Sequence, residues 1–354
     1  MNSKTNTPYL LLYCRAGFEN DCAAEIQSLA NQLGVSGYSK AQPDHAYVRF
    51  YSTPAEAVER LIQEIYFKQL VFARQWFLVR EHVLLDDNDN RLERLLKSIN
   101  FLNVKYVNLL WETPDSTHLQ ALPRLVNSLK KANLRESLIA PNDETADNQL
   151  HLAFLDFNLC CIGTSPCHNA SAYAGGVRRL KLPKSAPSRS MLKLDEAIVT
   201  FLPLEQRHQL LKAHMQAVDL GAAPGGWSYA LSRYGLQVTA VDNGPLAKSV
   251  LETNQVVHVR GDAFTFEPPF NVNWLVADIA DKPLRVLALV ERWIEHGWAD
   301  HYIFILKLPM QKRQRFMADS VWPILNKIKT QHSQFCLWVK HLAYNRQEIT
   351  IALI

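Results

Sequence analysis

The second half of this 354-residue chain sets charged residues at the ends of apolar runs. Charge there is costly unless it faces a crevice or a partner. The run Asp219-Leu-Gly221-Ala-Ala223-Pro224-Gly225-Gly226-Trp227 follows an apolar strand and precedes a helical stretch. Glycine at such a turn lets backbone N–H groups approach a ligand closely. Ala223 takes the second glycine position of the dinucleotide fingerprint, and no Lys-Ser/Thr ending follows, so nicotinamide dinucleotides and polyphosphates are disfavoured. Asp242 ends the next strand, 23 residues after Asp219, where an acid can bind the two ribose hydroxyls of an adenosine. Asp262 follows a third strand and Asp278 ends a fourth. One strand-end aspartate is usually a cap or turn residue. Four in succession around a glycine turn line the crevice where open α/β sheets bind ligands. An adenosine without diphosphate, among carboxylates that suit a sulfonium and an ammonium, points to S-adenosylmethionine.

Two lysines add to this set. Lys193 lies in Arg189-Ser190-Met-Leu-Lys193-Leu-Asp195, and Lys307 ends an apolar strand in Ile305-Leu-Lys307-Leu-Pro309. Either alone reads as a surface or paired group. Glu348, near the C-terminal end, can return to the same crevice.

The elements that must position these residues form an α/β pattern. Gln216–Leu220, Gln237–Val241, Val256–Val259, Trp274–Asp278 and Tyr302–Leu306 read as strands with helical stretches between most of them, the rhythm of a Rossmann-like, mostly parallel sheet. Trp338–Leu342 and Glu348–Leu353 read as an antiparallel edge pair. The first half is α+β. Its strands are Tyr9–Arg15, Ala46–Tyr51, Val71–Val79, Val104–Trp111, Leu150–Asp156 and Leu159–Gly163, and its helices Glu19–Leu33, Pro54–Ile65, Asn90–Ile99 and His118–Ala132. Trp76 reads as core packing within a strand.

Composition excludes other classes. With 48% hydrophobic and 20% charged residues the chain is ordinary globular protein, not disordered or coiled coil. No apolar run approaches the roughly 18 residues that span a bilayer, so no membrane association is expected. Six cysteines in this length make no disulfide framework, which points to a reduced, cytoplasmic setting. Cys160, Cys161, Cys167 and His168 match no usual zinc spacing, and no metal is expected. Net charge is only +4, but Phe157–Leu194 contains no Asp or Glu and holds Arg178, Arg179, Lys181, Lys184, Arg189 and Lys193. A basic, acid-free stretch reads as a phosphate-meeting linker or as a solvated loop.

Lys193, Asp278, Lys307 and Glu348, in that order, resemble the Lys-Asp-Lys-Glu tetrad of FtsJ-type ribose 2′-O-methyltransferases. The Ser188-to-Leu194 opening and the Asp219-to-Trp227 loop resemble the same group. Cys14-Arg-Ala-Gly-Phe-Glu19, Phe72-Ala-Arg74-Gln-Trp-Phe77, Arg179-Leu-Lys181, Val241-Asp-Asn-Gly-Pro245 and Leu306-Lys-Leu-Pro309 are similar to the RlmM family, over nearly the whole chain. That resemblance implies a THUMP-containing RNA-binding half, 23S rRNA as partner, and a cytidine in the peptidyl-transferase region as target. It divides the chain into an α+β subdomain (1–52), a THUMP-like domain (53–168), a basic linker (169–189) and a methyltransferase domain (190–354). It implies that Ser190, Asp219, Gly221, Ala223 to Gly226, Trp227, Asp242, Asp262 and Asp278 bind S-adenosylmethionine, with Lys307 as proton acceptor. Arg74 and the linker cations Arg178, Arg179, Lys181, Lys184 and Arg189 are the RNA candidates.

A ribose hydroxyl is a weak nucleophile, and a lysine near its reference pKa of about 10.4 is a poor base at neutral pH. Burial, the Lys193 cation and the sulfonium are each expected to make Lys307 a better one; Asp278 pulls the other way and is expected chiefly to orient Lys307 and the ligand amine, with Glu348 holding Lys193 or the ribose. Other acceptors fit less well. Asp278-Ile-Ala-Asp281 is not the Asn/Asp-Pro-Pro-aromatic turn of amino methylation, and no cysteine lies between Cys167 and Cys336 for carbon-5 attack. The remaining alternatives are a non-catalytic rRNA-binding or assembly factor, a ribose methyltransferase of another RNA, or a small-molecule methyltransferase. Oligomeric state is not legible, and a monomer is assumed.

Overall fold

The computed structural model describes residues 7–85, 90–100, 106–116, 119–131 and 147–354. Two compact units, Met1–Arg178 and Arg179–Ile354, divide the chain within the stretch 169–189.

The first unit is one sheet of seven strands: β1 (Tyr9–Tyr13), β2 (Ser36–Ala41), β3 (Tyr47–Thr53), β4 (Gln75–Leu84), β5 (Asn108–Glu112), β6 (Asn148–Asp156) and β7 (Leu159–Pro166). Their order is β2-β3-β1-β4-β7-β6-β5, and β5–β6 is its parallel pair. Residues 52 and 53 both lie within β3, so the sheet continues across the expected subdomain border. Helices Glu19–Gln32, Ala57–Glu64, Arg91–Asn100 and Leu122–Lys130 accompany it. Strand β2 escaped the sequence reading because Ser-Gly-Tyr-Ser-Lys-Ala carries no apolar run; it is an edge strand with one face exposed. The strand expected from Val71 begins only at Gln75, because the Val71 and Phe72 N–H groups go to the Glu25 carboxylate at 2.6 and 3.0 Å. Val104, Lys105, His118 and Ala132, the ends of two expected elements, lie outside the described residues. Trp76 is fully buried and donates its indole N–H to the Asn169 carbonyl, in keeping with its core reading.

The second unit carries β8 (Gln216–Leu220), β9 (Gln237–Val241), β10 (Val256–Val259), β11 (Val272–Ala277), β12 (Ala299–Lys307), β13 (Leu337–Lys340) and β14 (Glu348–Leu353). The order is β10-β9-β8-β11-β12-β14-β13; the first five are parallel, and β14 is antiparallel to both neighbours. The late pair is antiparallel as expected, but only β13 is an edge; fully buried β14 is interior. Strand order reverses between β8 and β11, and ligands of open α/β sheets bind outside the carboxyl ends of the strands at that point. Met191, Trp227, Trp274, Val276 and Ile303 belong to the core that holds these strands and the helix Met191–Phe201. Among the described residues no helix is long and apolar enough to cross a membrane.

The helix Met191–Phe201 brings Lys193 to the switch point and also fixes the 341–345 loop. Its buried Glu196 accepts backbone N–H bonds from Ala343 at 3.0 Å and Tyr344 at 2.9 Å. Glu196→Ala strands these donors, and urea denaturation is expected to show the second unit weakened by about 2–3 kcal/mol, with Glu196→Gln recovering part.

Candidate active site

The glycine loop follows β8 and is shaped by close approach. Gly221 has φ +76° and Gly225 φ +105°, left-handed values that favour glycine. A Cβ on Gly226 would lie 2.3 Å from Ser190 Oγ and 2.6 Å from Ser188 Oγ, so the loop touches the entry to the Lys193 helix directly. Those two hydroxyls bond each other at 2.6 Å, and Trp227 donates its indole N–H to the Ser190 carbonyl at 3.0 Å. Asp242, at the end of β9, closes the other side. Its Oδ2 accepts the Ala223 N–H at 3.0 Å and its Oδ1 the Gly244 N–H at 2.7 Å. It therefore fixes the loop's shape while each oxygen keeps a lone pair for a ribose hydroxyl.

Against the loop and the two serines lies a cavity of about 200 Å³. Ser188, Ser190, Asp219, Gly221, Trp227 and Asp278 are among its lining residues; Asp242 and Asp262 are not. Two carboxylates in a narrow polar cavity suit a cationic ligand end, and a Cβ on Gly221, Gly225 or Gly226 would press on Ile279, Val250 or the two serines, so the loop that lines the cavity keeps its shape only with glycine there. The residues fit S-adenosylmethionine on that ground. Asp262 is exposed, and its Oδ1 accepts the Phe264 N–H at 2.9 Å in a turn beyond β10.

Burial drives Asp219 up to about 7, against the pull of its 2.7 Å hydrogen bond from Ser228 Oγ. Its folded pKa is raised above the unfolded carboxylate value, so its stabilising contribution is complete at low pH and is lost as pH rises from about 4 to about 7. Denaturant titration of the Asp219→Asn variant is expected to lack that decline between pH 4 and 7, while the wild-type difference flattens above pH 7.

Three of the four expected residues, Lys193, Asp278 and Glu348, meet, with Lys307 in register beside Glu348. Lys193 Nζ lies 3.3 and 3.2 Å from the Asp278 oxygens and 2.9 Å from Glu348 Oε1. Burial opposes the Lys193 charge, but Asp278 and Glu348 outweigh it and hold its pKa above the ordinary lysine value. Burial also raises Asp278, with Lys193 acting in the opposite sense. Lys307 stands opposite Glu348 in the β12–β14 register, and its charge reaches Asp278. Two details depart from the expectation. Asp278 is bonded to Lys193, whereas it was assigned to orient Lys307. Lys307, the last residue of β12 and paired with Glu348, is exposed instead of buried.

Of the RNA candidates, Arg179, Lys181, Lys184 and Arg189 are exposed. Arg178 is half-buried, with its guanidinium 5.4 Å from the Tyr173 ring. Arg74 is only 7% exposed, which leaves it little surface for a phosphate and removes it from the set. Cys160 and Cys161 join different hydrophobic clusters on opposite faces of β7, so the pair cannot converge on one ion. Sequence reasoning gave no role to Ser188 or Ser228. Ser188 stands within a motif already noticed, whereas nothing in the sequence marks Ser228 as the partner of Asp219.

Residues 7–77 match the RlmM ferredoxin-like domain, and residues 186–294 match the FtsJ-like methyltransferase family. The chain is 37% identical over 349 residues to the ribosomal RNA large subunit methyltransferase M of Marinomonas sp., covering 98% of this chain and 99% of that one. It is 40% identical to the protein of the same name from Psychromonas ingrahamii, covering 97% of this chain and 95% of that one. For the Shewanella amazonensis counterpart identity is 39%, with 97% of each chain covered. Likeness of this extent, spanning both halves, settles the family: the chain belongs to the ribosomal RNA large subunit methyltransferase M family, whose catalytic part is of the FtsJ type.

Proposed function

We propose that this chain methylates the ribose 2′-hydroxyl of one cytidine in the peptidyl-transferase region of 23S rRNA, with Lys307 as general base. The observation that carries the reading is the clamp of Lys193 between Glu348 and Asp278, the latter lining the glycine-loop cavity, with Lys307 in register beside Glu348. A non-catalytic binder has no need of a lysine clamped by two carboxylates with a second lysine in register beside one of them.

Asp219 and Asp278 would hold the cationic end of S-adenosylmethionine, Ser190 and the Ala223–Gly226 turn its middle, and Asp242 its ribose, with Asp262 contacting it from beyond β10. When bound, the cofactor supplies an electrophilic methyl whose carbon–sulfur bond breaks as the ribose oxygen attacks. Lys307 Nζ takes the hydroxyl proton, for which it must present a free lone pair. Lys193 stays an ammonium, since two carboxylates neutralise it, and offers a fixed donor to the ribose. Asp278 and Glu348 are thereby positioning residues for Lys193.

The THUMP-like first half and the exposed cations Arg179, Lys181, Lys184 and Arg189, with Arg178, would carry the rRNA backbone. Nucleoside mass spectrometry of unmodified 23S rRNA incubated with the protein and cofactor tests the target. A single 2′-O-methylcytidine is expected; another 2′-O-methylnucleoside, or a base-methylated one, would reject the cytidine assignment.

A further inference from the structure

Beside the cofactor cavity lies a second, wider cleft of about 520 Å³, a size that accepts a small ligand. The two adjoin at the turn after β11, where Asp278 lines the first and Asp281 the second. Lys307 faces this cleft, together with Lys282, Pro283, Pro309 and Phe316.

The acid of this lining is already committed: Asp281 Oδ2 lies 2.7 Å from Arg285 Nη1, and its Oδ1 accepts the Lys282 N–H. The charge left facing the cleft is positive. It comes from Lys282, Lys307 and the start of the 13-residue helix Pro283–Glu295, whose N-terminal end favours an anion. The cofactor's cationic end belongs with the carboxylates next door, so this cleft suits a different ligand, one with a phosphate and an apolar face. Phe316 supplies the complementary surface. It is half-buried where Met317, Val321 and Leu325, farther along the same helical stretch, are fully buried.

We infer that this cleft receives the acceptor nucleotide itself, drawn out of its stack, with its 2′-hydroxyl at Lys307, its phosphate against Lys282 and the helix start, and its base against the Phe316 ring. Single-stranded RNA bases are commonly read by stacking on aromatic side chains while phosphate contacts fix their register. The inference rests on the ribose-methylation reading above, because Lys307 ties the two together.

Full-length Phe316→Ala, Phe316→Trp and Lys282→Ala proteins, assayed with unmodified 23S rRNA, test it by kcat/KM, by RNA affinity across a salt series and by cofactor calorimetry. Loss of one base-stacking contact predicts that Phe316→Ala lowers kcat/KM by about 5- to 100-fold. Phe316→Trp stays within a few-fold of wild type, and Lys282→Ala flattens the salt slope of RNA binding by about one. Cofactor affinity is unchanged in all three. Wild-type kcat/KM in Phe316→Ala together with a wild-type salt slope in Lys282→Ala would overturn the inference, as would Phe316→Trp falling as far as Phe316→Ala. If Phe316→Ala fails to fold, the Lys282→Ala salt slope decides alone. A wild-type protein that places no methyl on ribose removes the underlying reading and this inference with it; an active wild type with indifferent variants removes this inference only.

Discussion

Lys307→Ala is expected to lower the single-turnover rate of methyl transfer by about 10²- to 10⁴-fold, the usual contribution of a positioned general base. Cofactor affinity, read by calorimetry, should stay near wild type, because Lys307 faces the wider cleft and is absent from the lining of the 200 Å³ cavity. Lys307→Arg separates the two roles a lysine can play. A guanidinium keeps the charge but remains protonated, so it cannot accept the ribose proton. If Lys307 acts as a base, arginine is as inactive as alanine. If it acts as a fixed cation, arginine restores much of the rate. Loss of cofactor binding in step with loss of transfer would assign Lys307 to the pocket and end the base proposal.

The second large effect is expected at Gly226. Its missing Cβ is what allows the loop to meet the two serines, and a methyl there would sit 2.3 Å from Ser190 Oγ, 2.6 Å from Ser188 Oγ and 3.1 Å from the Met191 nitrogen. The hydroxyls can turn only by giving up their mutual bond, and the Met191 nitrogen can move only with the helix that carries Lys193. Overpacking of this kind costs about 1–3 kcal/mol, equivalent to about 5- to 150-fold in cofactor affinity if it falls on the pocket. Calorimetry on Gly226→Ala should show that loss, and the double variant with Ser190→Ala should recover part of it. Wild-type affinity in Gly226→Ala would mean that the loop and the helix start do not form the cofactor wall.

The catalytic half was legible because its signals are local. Gln237–Val241, Val256–Val259 and Glu348–Leu353 are short runs rich in β-branched residues, Gln216–Leu220 is a short mostly apolar run, and all four are strands with those bounds. The tetrad was legible only through its resemblance to the FtsJ-type enzymes, since Lys193 lies on a helix and Glu348 far along the chain. Which residue bonds which was not. Lys193 could have been placed against Asp278, Glu348 or the ribose, and only the folded structure, which brings a helix, the end of β11 and the start of β14 together, puts both carboxylates on it. In the first half the strands flanked by apolar residues were readable. Polar β2 was not, because an edge strand needs only one buried face. Nor was the end of the Val71–Gln75 segment, whose backbone donors are taken by a glutamate 46 residues earlier, a long-range contact with no local trace. Arg74 illustrates the same gap: an arginine in a strand reads as a phosphate candidate, and the fold buries it.

The most direct test of the central claim is the position of the transferred methyl. Unmodified 23S rRNA labelled by the wild-type protein from methyl-labelled S-adenosylmethionine, with Lys307→Ala alongside, would be taken through alkaline hydrolysis. A 2′-O-methyl group blocks cleavage at its own nucleotide, so the account predicts label in an alkali-resistant dinucleotide, and none above background from Lys307→Ala. Label released on single nucleotides would place the methyl on a base and contradict the assignment of Lys193, Asp278, Lys307 and Glu348.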